Sequence, residues 1–89
     1  MKAIVTVLGR DQVGIIADVC ATLAEKQVNI LDISQTIMQE YFTMIMLVDT
    51  DKCPVPFDEL SASLKARGEE RSLTIQIQAE TIFNSMHRI

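Results

Sequence analysis

At 89 residues and 48% hydrophobic content, the chain is long enough for one domain, residues 1–89, whose modest core folds without disulfide or metal staples. A formal net charge of −4, eight scattered basic residues and the absence of Trp exclude a nucleic-acid binder, which needs clustered Lys and Arg and stacking aromatics. No apolar run reaches the length of about eighteen residues that spans a membrane, and Met1-Lys2 leads straight into the first periodic segment, so a soluble cytoplasmic protein is expected.

Lys2 to Leu8 sets Ala3, Val5 and Val7 on one parity and Ile4, Thr6 and Leu8 on the other, which predicts a strand central in its sheet. Gly9 to Ile15 then forms a tight loop. Its glycines admit close approach of backbone, and Asp11 stands where an N-cap or first-turn acid would accept from exposed helix N–H groups. Ile15, Ile16, Val19, Cys20, Leu23 and Ala24 recur at helical spacing, so a helix is predicted from Gly14 to Gln27.

From Ile30 to Gln39 the chain is predicted to be extended. Leu31, Ile33 and Ile37 share one parity and Asp32, Ser34 and Thr36 the other, the pattern of an edge strand with one wet face. A tight turn at Gln39-Glu40 leads into Tyr41 to Val48, apolar on both parities and therefore a second central strand. Asp49 to Pro56 is a polar, proline-punctuated connection. Phe57, Leu60, Leu64 and the small Ala62 and Ala66 fit a second helix that stops near Gly68. Ser72 to Ala79 alternates, with Leu73, Ile75, Ile77 and Ala79 inward, as a second edge strand would. Ile82, Phe83, Met86 and Ile89 suit a short C-terminal helix.

Two strand-helix-strand halves with central strands first and third predict an α+β fold of the ferredoxin-like βαββαβ type. Its four-stranded antiparallel sheet has the order 4-1-3-2, with two helices on one face. The uncovered face would be partly apolar in its middle, a reason to expect a homo-oligomer.

Residues for chemistry are sparse. Cys20 and Cys53 lack His or Cys neighbours at ligand spacing and read as reduced thiols, so no metal site and no cofactor are expected. His87 is the sole histidine, and nothing identifies a base for Ser34 or Thr36. The first loop has no Cys pair for a copper carrier, the first strand has no aromatic for RNA recognition, and Arg10 alone does not make an acyl-phosphate hydrolase. An enzyme is therefore not expected.

One two-part constellation remains. Asp11-x-x-Gly14-Ile15-x-Ala17-x-Val19, followed by Val28-Asn29-Ile30-x-Asp32-Ile33, resembles the ACT domain, the amino-acid-sensing module of many metabolic enzymes. The chain is similar to the single-domain ACT proteins of microbes and to the ACT units of the glycine-cleavage regulator and formyltetrahydrofolate deformylase. The resemblance implies a small amino acid or related metabolite held between two subunits of a homodimer. Its site residues would be Asp11, Gln12, Val13, Gly14, Ile15 and Asn29, with Ile30 and Asp32 adjacent. An α-carboxylate suits helix N-terminal N–H groups, and an α-ammonium suits Asp11 or the Asn29 side-chain oxygen. Two departures stand out: Gly9 replaces the His of the family's serine-sensing dehydrogenases, and Val13 replaces a frequent Pro. The alternative expectation is a ligand-free interaction module that docks a metabolic enzyme or regulator.

Overall fold

The computed structural model describes residues 1–81. Its elements are β1 (Lys2–Arg10), α1 (Ile15–Glu25), β2 (Asn29–Met38), β3 (Tyr41–Asp49), α2 (Phe57–Glu70) and β4 (Thr74–Ala79), the predicted βαββαβ order. The helix expected from Ile82, Phe83, Met86 and Ile89 lies outside the described residues.

The strands form one antiparallel sheet in the order β2-β3-β1-β4, which is 4-1-3-2 seen from the other edge. The doubly apolar strands take the centre because only there are both faces sheltered by neighbours. Ala3, Val5 and Val7 of β1 meet Val48, Met46 and Met44 of β3 on the inner face. All six are fully buried, and Ile15, Val19 and Leu23 of α1 with Leu60 and Leu64 of α2 close the core above them. Burying each such large side chain contributes about 1.5–3 kcal/mol.

Both helices end in the same way. After α1, the Val28 amide donates to the Leu23 carbonyl at 3.0 Å and the Gln27 amide to the Ala24 carbonyl at 3.0 Å. After α2, the Leu73 amide donates to the Gly68 carbonyl at 2.8 Å and the Ser72 amide to the Glu69 carbonyl at 3.2 Å. These are Schellman motifs, with the left-handed position taken by Gln27 (φ 56°) and Ser72 (φ 58°) instead of glycine. In each, the following residue, Val28 or Leu73, is buried and anchors the turn to the core.

The second helix thus ends near Gly68, as expected, but the glycine is not its terminating residue. It lies inside α2, where a Cβ would come within 2.7 Å of the Leu73 carbonyl oxygen and 3.0 Å of Ile75 Cγ1. A glycine here lets α2 lie close on β4.

β1 also runs two residues further than predicted, so Gly9 is a strand residue opposite Phe42 and the loop begins at Asp11. A Cβ on Gly9 would sit 2.5 Å from Leu73 Cδ2 and 3.3 Å from the Ser72 carbonyl oxygen. The glycine makes room for the start of β4.

The second strand departs most from its periodicity. A register shift between Ile30 and Asp32 leaves Leu31 without a partner on β3, a bulge that breaks the expected alternation. Ile33 and Ile37 lie opposite the inward Met46 and Phe42, yet they are 41% and 50% exposed because the helical layer stops short of this edge. The face without helices carries Leu8, Met38, Tyr41 and Ile45, all exposed, beside the half-buried Ile4 and Leu47, as the one-sided layer predicts.

Candidate functional site

α1 starts immediately after Gly14, whose φ of 87° lies in the left-handed region that costs a residue with a side chain. No side chain caps the helix. Asp11 does not serve as the expected cap; its backbone amide donates to the Glu40 carbonyl at 2.7 Å, tying the loop to the turn between β2 and β3. The Asp11 carboxylate has no hydrogen bond or ion pair among the described residues. The first helical bond runs from the Asp18 amide to the Gly14 carbonyl at 3.0 Å, so the amides of Ile15, Ile16 and Ala17 are left for another acceptor.

The same three residues line a shallow cavity of about 170 Å³ together with Asp11, Gln12, Gly14, Gln35 and Phe42. Val13 is 97% exposed and lies outside that lining. Gln35 brings β2 into the site, a residue the motif did not single out. With uncapped amides and an unpaired carboxylate, the cavity offers donors to an anionic group and an acceptor to a cationic one.

Asn29 is elsewhere in the chain. It pairs with Asp49 at one end of the sheet, whereas the first loop leaves β1 at Arg10, which pairs with Tyr41 at the other end. Eight strand residues separate the two ends, about 27 Å at 3.4 Å per residue. Asn29 lines a different cavity of about 500 Å³ with Gln27, Val28, Asp49, Asp51 and Lys52. Asp32 lines a depression of about 130 Å³ on the open face, together with Ile4, Ile33, Ser34, Ile45 and Leu47, and its Oδ1 accepts from the Ile33 amide at 2.9 Å. Ile30 is half-buried against the core. A single chain thus keeps the two halves of the motif apart.

Sequence reasoning missed two arginines of α2's last turn and C-cap, of which Arg71 holds the loop. Arg71, the C-cap of α2, donates from Nη1 to the Val13 carbonyl at 3.3 Å and to Gln12 Oε1 at 3.4 Å, and its Nε pairs with Asp18 Oδ2 at 3.2 Å. Gln12 Nε2 donates back to the Arg71 carbonyl at 3.0 Å. Arg67 adds a bond to Thr22 Oγ1 at 3.0 Å and lies 3.8 Å from Asp18 Oδ1. No periodicity or local motif signals a partnership across 59 residues of sequence. Among the described residues, no cluster of His, Cys, Asp or Glu could hold a metal, and no helix is long and apolar enough to cross a membrane.

The profile of the ACT domain matches residues 2–78. The chain belongs to the ACT domain family. A UPF0237 protein of Clostridium acetobutylicum is 58% identical to this ACT domain over 89 residues, all of both chains. Among solved structures, an ACT domain protein from Streptococcus pneumoniae superposes with a TM-score of 0.83 at 44% identity, covering 98% of each chain. A formyltetrahydrofolate deformylase from Pseudomonas syringae pv. tomato superposes with a TM-score of 0.79 at 25% identity, over 88% of this chain and 27% of that one. The ACT domain described here thus corresponds to nearly all of one small protein and to about a quarter of a larger enzyme.

Proposed function

We propose that this ACT domain is a non-catalytic regulatory module that binds a small amino acid or related metabolite between two copies of the chain. The observation that carries this reading is the position of the two motif halves at opposite ends of one unpaired edge strand, β2. β2 is ten residues long and contains neither Pro nor Lys to blunt its edge. Leu31, Ile33 and Ile37 stand exposed along it. A second copy paired antiparallel along this edge brings the start of one β2 against the end of the other. Asn29, Ile30 and Asp32 of one copy then approach the Asp11–Ile15 loop of its partner and close the open side of its cavity. In that site the free amides of α1 receive the ligand carboxylate, and Asp11 or the partner's Asn29 receives its ammonium.

A thermal-shift and calorimetric screen of the free amino acids tests the reading. A ligand at a hundred times its Kd adds about 2.7 kcal/mol of stability. Silence from every amino acid would remove the sensing role and leave the fold untouched.

The open face supports a second reading, a ligand-independent docking module for an enzyme or regulator. Met38, 65% exposed, extends the apolar strip formed by Leu8, Tyr41 and Ile45 there. Affinity capture with and without added amino acids separates the two, because a constant partner indifferent to ligand favours docking.

A further inference from the structure

We infer that Arg71 is the positioning residue of the first-loop site, holding its backbone in the shape that presents the free amides of α1; the inference rests on the binding role proposed above. The loop has little of its own to fix it. Asp11 is tethered through its amide to Glu40 and Asp18 through its amide to Gly14, but between them Gly14 has no side chain and Val13 points into solvent. Arg71 supplies what is missing. Its guanidinium reaches the Val13 carbonyl and the Gln12 side chain on one side of Gly14 and the Asp18 carboxylate on the other. The Val13 carbonyl belongs to the peptide that leads into Gly14, so its orientation sets the direction in which the helix opens. Gln12 answers by donating to the Arg71 carbonyl, which closes a two-way link between the loop and the end of α2.

The geometry asks for a fork of donors. An ammonium on a flexible stem carries the same charge but cannot meet a carbonyl, an amide oxygen and a carboxylate from one rigid plane. Arg71 is about one-third exposed, where an ion pair adds little to global stability, so its effect is local. Arg67 makes a natural comparison. It also lies beside Asp18, but its other partners are Thr22 and Glu70, and it bonds to no residue of the loop.

Amide hydrogen exchange of the full chain, followed by NMR, tests the inference without any ligand. In Arg71→Lys the Asp11 and Asp18 amides are expected to exchange at least about tenfold faster, beyond any change at the core amides of Val5 and Met46, as local opening requires. Arg67→Met is expected to leave the loop amides unchanged relative to the core. An equal change at all four amides, or none at Asp18, would overturn the assignment. With the amino acid that most raises the wild-type Tm as probe, Arg71→Lys is expected to raise Kd by about tenfold or more, the scale of a misplaced binding group. An unchanged Kd would refute positioning of the binding site. If no amino acid binds the wild type, the sensing role and the claim about its site fall together, while the exchange pattern still decides whether Arg71 holds the loop.

Discussion

Gly9 shows how one missing side chain is explained by packing. It lies on the inner side of β1 under Leu73. A Cβ there meets a buried leucine methyl at 2.5 Å and a backbone oxygen at 3.3 Å. Gly9→Ala is therefore expected to destabilise the protein by about 1–3 kcal/mol through overpacking, as urea unfolding would measure. Adding Leu73→Ala should cost less in that background than in the wild type, because the two changes relieve one another. Strictly additive losses would show that Leu73 is not what crowds the site. Gly14 has a different reason, its positive φ rather than crowding, since a Cβ placed there would meet Arg71 Nη2 at 3.5 Å, an ordinary contact distance.

Among the elements, the helix ends and the second strand carry the sharpest consequences. Gln27 and Ser72 occupy left-handed positions that glycine takes without strain. Gln27→Gly and Ser72→Gly are each expected to stabilise the fold by about 0.5–1 kcal/mol, the strain relieved less the added chain entropy of glycine. Equilibrium unfolding would register a higher midpoint with an unchanged slope. On β2, Ile37 is half-exposed at an unpaired edge. Ile37→Lys is expected to change monomer stability by no more than about 0.5 kcal/mol, as surface substitutions usually do. An edge charge of this kind blocks strand pairing, so the proposed dimer should dissociate in sedimentation analysis. A dimer that persists would place the interface on another surface.

At the scale of the whole molecule, binding and association are linked if the ligand lies between two copies. The apparent Tm should then rise with protein concentration, and added ligand should shift the chain toward the dimer. The same Ile37→Lys chain should lose its thermal response to the amino acid that stabilises the wild type. A monomeric variant that still responds would locate the site within one chain, where only the half-site at the first loop is formed.

Much of this was legible in the sequence because strands and helices write their burial into local periods. The doubly apolar runs of β1 and β3 identified the sheet centre, the alternation of β4 identified an edge, and together they implied the strand order. A loop before the first helix was legible as well, since a glycine before an apolar helical stripe is a local signal, but its predicted start, Gly9, lies within β1, which runs on to Arg10. Other features depend on residues distant in sequence. The packing of Gly9 under Leu73, the place of Gly68 against β4 and the clasp of Arg71 on Gln12, Val13 and Asp18 arise only when α2 and β4 meet the first loop in space. The separation of Asn29 from that loop has the same origin, because antiparallel pairing sends the two motif halves to opposite ends of the sheet. Local periodicity thus determined which elements form and which faces they bury; only tertiary packing decided which side chains hold the loop and that one chain carries the two halves of the motif apart.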